Sequence, residues 1–260
     1  RRTDISPISF TIDLAQAVGD RGWNDSAAFS DLYVNKGGVE EEHTTFTAVF
    51  RNSPVIRDFC HSILASGATL FTNFQNTMAA SQSVFTMDDE RRSRPITYIE
   101  YPDDQSMVEG AFQRAEELIR ETESVRHEVL ITSLSDDIVR KLNAHAESNN
   151  KPVTLLQRRG DFVRVKQAEK SGHVVLGHAD YVGGLEFNVV IVVGVDKGRV
   201  PFEGGSEDSN SRSYASYSAH NRLYVASSRA KYALNMLGVQ ARGASDLLKV
   251  AQSEGLIEIV

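Results

Sequence analysis

The sequence predicts an α/β protein with a parallel sheet covered by helices on both faces, and three observations carry that reading. From about residue 96 onward, short β-branched runs alternate with amphipathic helical stretches. The first of those stretches shows one clear apolar stripe, Val108, Ala111, Phe112, Ala115, Leu118 and Ile119. With 41% hydrophobic residues, a chain of 260 has ample material for a buried core. The strand candidates are 96–101, 128–132, 173–177, 189–195, 233–237 and 257–260. Ser106 and Glu109 have the spacing of a capping box at the head of the first helix. After the second strand, Ile138, Val139, Leu142 and Ala146 repeat the helical spacing, with Ser135 placed to act as N-cap. The 95 residues before this unit mix Phe, Ser, Thr and Asn with weaker periodicity, apart from a helix over roughly 53–65. Segments 35–44 and 204–213, rich in Gly and acidic residues, read as exposed loops.

Lys and Arg number 28 against 35 Asp and Glu, a net charge of −7, so no global basic field advertises nucleic-acid binding. Phosphate contacts must then come from a local patch. Cys60 is the single cysteine and has no disulfide partner within the chain, which points to a reducing compartment, cytoplasmic or nuclear. The longest apolar run, at 189–195, is far too short to cross a bilayer. The first residue is Arg1 rather than Met, which suggests a piece of a longer protein.

Two segments carry chemistry. Val182-Gly183-Gly184-Leu185-Glu186-Phe187 places a Gly pair and a carboxylate directly before an apolar strand. Glycines there let a backbone approach a ligand, and the carboxylate is suited to a sugar hydroxyl. Residues 221–231, NRLYVASSRAK, read as a helix on which Arg222 and Arg229, seven apart, share a face. Taken singly, a Gly-Gly turn and solvated arginines explain both. Together and in this order they resemble motifs V and VI of the UvrD/Rep-type superfamily 1 helicases. Once that register is set, Phe50-Arg51-Asn52-Ser53 opening a helix resembles motif IV, and Ile12-Asp13-Leu14-Ala15-Gln16 resembles motif III, with Ile12 where Gly is usual.

The resemblance implies a RecA-like second motor lobe of a P-loop NTPase type, without its own P-loop. Residues 1–45 would then be the tail end of the first lobe with its connecting segment, and 46–260 the second RecA-like domain. It implies ATP and Mg²⁺ as cofactors, with the Mg²⁺ ligands mostly in an N-terminal RecA-like lobe of the same protein, and single-stranded DNA as partner, RNA not excluded. Arg229 and Arg51 match the arginines that meet the γ-phosphate, and a guanidinium suits that work because its fork of donors stays charged. Gln16 matches the γ-phosphate sensor. Glu186, Gly184 and Arg222 fall in the nucleotide-binding positions, while Asp13 supports its loop. On the nucleic-acid side stand His178, Asp180, Tyr181 and Trp23, the last as a candidate stacking aromatic whose offset from Gln16 departs from the usual one and equally suits a core position.

Departures from the pattern matter as much. Motif V usually begins Thr-X-His and has Lys before GLEF, whereas this chain has His178, Asp180 and Gly183 there. His178 and Asp180 also have the make-up of a metal pair, yet no fourth ligand stands at a zinc-like spacing, and no metal is expected. No GxxxxGK followed by Ser or Thr occurs, so the Walker A loop must come from elsewhere. Residues 83–90 mimic a Walker B strand but lie after motif IV, so 88–90 reads as a solvated acidic turn. The sequence therefore predicts an ATP-dependent helicase lobe inactive on its own, the alternative being a degenerate helicase-like domain that serves as a protein-interaction or regulatory module.

Overall fold

The computed structural model describes residues 48–49, 52–68, 82–202 and 209–260. Strand β1 (Ala48–Val49) pairs in parallel with β2 (Gln82–Ser83), with helix α1 (Pro54–Ala68) between them in sequence. A short α2 (Met87–Arg92) leads into a larger unit, β3 (Thr97–Tyr101), α3 (Asp104–Glu121), β4 (Val129–Ser133), α4 (Asp136–Ser148), β5 (Val153–Leu155) and α5 (Phe162–Ser171). It continues through β6 (Val174–His178), β7 (Phe187–Val193), α6 (Ser209–Ser227), β8 (Ala230–Val239), α7 (Lys249–Ser253) and β9 (Glu258–Ile259). Strands β3 to β9 form one sheet of seven in the order β5-β6-β4-β7-β8-β3-β9, every pair parallel.

Both faces of that sheet are buried. Along β7, Val189, Ile191 and Val193 pack with α3 and α4, while Val190 and Val192 pack with α1 and α6. Each strand must therefore be apolar at successive positions, which is why the strand runs are continuous rather than alternating. The predicted strands are found within a few residues of their expected ends, although β8 extends well beyond 233–237 on both sides.

Several local expectations are corrected. Helix α3 begins at Asp104, two residues before Ser106, because Asp103 takes the N-cap position and its side chain accepts the Ser106 N–H at 2.8 Å. Ser135 does occupy the N-cap of α4, but its side chain makes no cap bond. Residues 88–90 are not a free acidic turn: they form α2, capped by Thr86, and Asp89 accepts the Tyr232 hydroxyl at 2.7 Å and pairs with Lys231 at 3.0 Å. Of the expected loop at 204–213, residues 209–213 already belong to α6, and 203–208 lie outside the described residues. β5 and α5 were not expected from the sequence. Segments 1–47 and 69–81 lie outside the described residues, and the motif III stretch and the 35–44 loop fall there.

Candidate functional site

Strands β6 and β7 are both parallel to β4, which lies between them. Residues 179–186 must therefore carry the chain from the C-terminal edge of β6 back to the N-terminal edge of β7. This crossover is the Gly-Gly-Leu-Glu segment. A single 3₁₀ turn, Ala179–Tyr181, starts the descent, and Gly184 completes it at φ +82°, a conformation open to glycine at little cost.

The crossover ends beside the exit of α6. Phe187 N–H donates to the Arg229 carbonyl at 2.9 Å, the first bond between the two segments before the β7–β8 ladder. A third segment closes the corner. Asn52 Nδ2 donates to the Ser228 carbonyl at 3.0 Å and to the Ala230 carbonyl at 2.6 Å, and Ser53 N–H donates to the Lys231 carbonyl at 3.0 Å. Stretches drawn from residues 52–53, 185–187 and 228–231 thus meet at the N-terminal edge of the sheet, and Asn52 grips the backbone on both sides of Arg229.

Arg229 itself is 1% exposed. Its Nε donates to the Val225 carbonyl at 3.0 Å, one terminal nitrogen to Ser228 Oγ at 2.8 Å and the other to the Leu185 carbonyl at 3.5 Å. The side chain thereby satisfies one of the last carbonyls of α6, that of Val225, and ties the end of the helix to the crossover. Its charge also bears on Cys60 of α1: burial pushes that thiol up to about 12, and the guanidinium opposes the shift. The expectation that Arg222 and Arg229 share a helix face is corrected, since α6 ends at Ser227 and Arg229 folds back beyond it.

Arg222, still within α6, pairs instead with Asp180 at 2.9 Å. Asp180 also lies 3.4 Å from His178 Nδ1, which accepts the Asp180 backbone N–H at 3.2 Å. His178 closes β6 and is buried, with its Nε2 3.9 Å from Asp136. Tyr181 packs against the core and meets the His178 ring edge-on, at 6.1 Å and 66°. It is half-buried there. Beside it, Gly160 N–H donates to the Tyr181 carbonyl at 2.9 Å, bringing the β5–α5 loop and the exposed Phe162 against the crossover.

No protein-family model matches the chain, and no curated protein sequence matches it. Among solved structures it is similar to the C-terminal domain of a possible DNA helicase from Lactobacillus plantarum WCFS1, with a TM-score of 0.53 at 17% identity, over 81% of this chain and 98% of that one. The fold is α/β and RecA-like, a seven-stranded parallel sheet with helices on both faces. Looser likenesses are to S. cerevisiae Dbp5 bound to RNA and ADP BeF3, with a TM-score of 0.39 at 9% identity over 71% of this chain and 46% of that one, and to S. tokodaii Xpd4, with a TM-score of 0.37 at 13% identity over 70% and 41%.

Within the RecA-like lobe the structure unites Asn52, Leu185, Glu186 and Arg229 at one corner, and His178, Asp180 and Arg222 along the crossover. Glu186 is exposed at the head of β7. Arg51, Gln16 and Trp23 lie outside the described residues. Among the described residues no group of three His, Cys, Asp or Glu side chains could hold a metal ion. Sequence reasoning missed two residues here. Asn52 stood inside the motif IV stretch without a role, and its adjacency to Arg51 was the available signal. Phe162 was overlooked because α5 was, although an aromatic flanked by Arg158, Arg159 and Arg164 was visible in the sequence.

Proposed function

We propose that this chain is the second motor lobe of an ATP-dependent helicase or translocase acting on single-stranded nucleic acid, DNA in the first instance, and that residues 1–45 end the first lobe. The observation that carries the reading is the convergence of three separated segments at the sheet's N-terminal corner, in the order and with the residue types that the superfamily 1 resemblance implies. The corner fits a nucleoside triphosphate at its sugar end, where the exposed Glu186 carboxylate is placed to accept hydrogen bonds from ribose hydroxyls. ATP, when bound, supplies the free energy of γ-phosphoryl transfer. Arg229 anchors the corner and, together with Arg51, brings fixed positive charge toward the phosphates held by the partner lobe. Mg²⁺ ligands belong to that lobe. His178, Asp180 and Arg222 join the crossover to α6, so that a strand lying along the crossover is mechanically tied to the nucleotide corner.

The test is steady-state ATP hydrolysis by the full-length protein with and without oligonucleotide. In Arg229→Ala, kcat falls by on the order of 10³ with little change in KM, the pattern of a group used mainly in the transition state. Arg229→Lys, which keeps charge but loses the fork, recovers little of it. One observation favours a second reading, a helicase-like lobe that serves as a non-catalytic interaction module: the Arg229 guanidinium donates to this chain's own Val225 and Leu185 carbonyls. Under that reading Arg229→Ala lowers stability and leaves nothing to lose in turnover.

A further inference from the structure

The exposed aromatic next to the crossover is Phe162, at the first position of α5, and its setting is a built one. It is 58% exposed and its neighbour Val163 67%, which makes an apolar pair at the lobe's surface. The ring lies alongside two glycines: a Cβ placed on Gly160 would come within 3.6 Å of it and one on Gly184 within 3.8 Å. The loop that carries it is fixed from both ends. Gly160 bonds to the Tyr181 carbonyl, while the buried Asp161 carboxylate accepts the backbone N–H groups of Gln157 at 3.1 Å and Arg164 at 3.4 Å. An apolar ring held out in water on a rigid loop costs solvation, a cost that a stacking ligand removes.

The charge around the ring selects the ligand class. In a chain of net charge −7, residues 157–170 carry five cations, Arg158, Arg159, Arg164, Lys166 and Lys170, against Asp161 and Glu169. Arg158 is 73% exposed at its side chain and reaches Asp161 only at 3.8 Å, so its guanidinium remains available to a phosphate. Cations interleaved with an exposed aromatic suit a nucleic-acid strand, because every base has a π-face and every link a charge. A protein partner for the apolar pair would gain little from that excess of cations.

We propose that Phe162 is a base-stacking platform for single-stranded nucleic acid, with Arg158 contacting the adjoining phosphate. The proposal rests on the helicase reading and adds a strand-binding site on the β5–α5 loop. Stacked on Phe162, a base lies against Gly160 and Gly184, so the strand touches the crossover that leads to Glu186 and Arg229.

The experiment is fluorescence anisotropy of the full-length protein with a labelled oligothymidylate at fixed salt, with ATP turnover measured in parallel. Phe162→Ala is expected to weaken binding roughly 5- to 150-fold, the range that one stacked base is worth. Phe162→Trp retains affinity, and because both side chains sit at the surface an unchanged thermal midpoint confirms the fold. Arg158→Ala lowers the slope of log K against log salt by about one. Wild-type affinity in Phe162→Ala overturns the proposal, and so does wild-type affinity in Phe162→Leu, which marks a plain apolar contact of the kind a protein partner makes. Strand-stimulated ATPase that survives Phe162→Ala unaltered overturns the platform while leaving the helicase reading intact. Absence of both strand binding and turnover in the wild type removes the two together.

Discussion

Asn52 makes two long-range hydrogen bonds through one amide nitrogen, to residues 176 and 178 positions away. Both carbonyls belong to the backbone that flanks Arg229, so the amide fixes the direction in which that side chain leaves the helix. Asn52 is 8% exposed, which means that removing it strands polar groups away from water. Asn52→Ala is expected to cost about 1–3 kcal/mol of stability, read as a lower urea midpoint at unchanged slope. Asn52→Asp should cost at least as much, because a carboxylate would face two carbonyl oxygens. An unshifted midpoint in both variants would show that the corner is held by other contacts. If the corner serves catalysis, Asn52→Ala lowers kcat in the wild type and adds almost nothing in an Arg229→Ala background, the non-additivity expected of residues that act as a unit.

At the level of elements, the pairing of β3 with β8, one strand in from the β9 edge of the sheet, depends on a small residue. Tyr98 of β3 stands opposite Met236 in register and is fully buried, and its hydroxyl lies directly over Gly238, two residues further along β8. A Cβ on Gly238 would run into that hydroxyl and come within 2.7 Å of the ring carbon bearing it. The ring is fully buried. Gly238→Ala is therefore expected to destabilise by about 1–3 kcal/mol, as overpacking of a filled core does. Adding Tyr98→Phe should recover part of the loss, since it removes the clashing oxygen, which among the described residues has no hydrogen-bond partner. Equal midpoints for Gly238→Ala and the wild type would mean that the strands separate more easily than this packing implies. A neighbouring element is fastened differently: Asp89 joins α2 to the start of β8 through Tyr232 and Lys231, and those partners hold its carboxyl below the usual range. Its contribution is present above the ordinary carboxylate pKa and fades as acid reaches the folded value.

Over the whole molecule, a seven-stranded parallel sheet lies between α3 and α4 on one face and α1, α5, α6 and α7 on the other. No helix among the described residues is long and apolar enough to cross a membrane. The lobe presents its Glu186 and Arg229 corner at one edge of the sheet and the end of β6 at the other, with the crossover between them. Under the proposed helicase reading such a body couples two ligands by moving as a unit against a second lobe. Because no phosphate-cradling GxxxxGK stretch occurs in these 260 residues, the chain by itself is expected to show no nucleic-acid-stimulated phosphate release from ATP. Mg²⁺-dependent turnover by the chain alone would refute the division of labour between lobes.

The parallel α/β architecture, the positions of most strands and the order of the segments that build the corner could all be read along the chain. These were legible because burial on both sheet faces writes itself into local periodicity, and because a Gly-Gly turn before an apolar run needs no distant partner to be noticed. Short β5 and α5 escaped, having too few residues to establish a period. Which side chains face which way depends on long-range packing. Arg222 and Arg229 looked alike along the chain, yet α6 ends between them, so that one meets Asp180 and the other turns back on Val225. Tyr181 and Phe162 are both aromatic and close to the crossover, but Tyr181 packs inward against His178 while Phe162 faces water. The physical reason is the same in each case: periodicity encodes contact with near neighbours, whereas a bond such as that of Asn52 to Ser228 exists only once the order and register of the sheet have brought distant segments together.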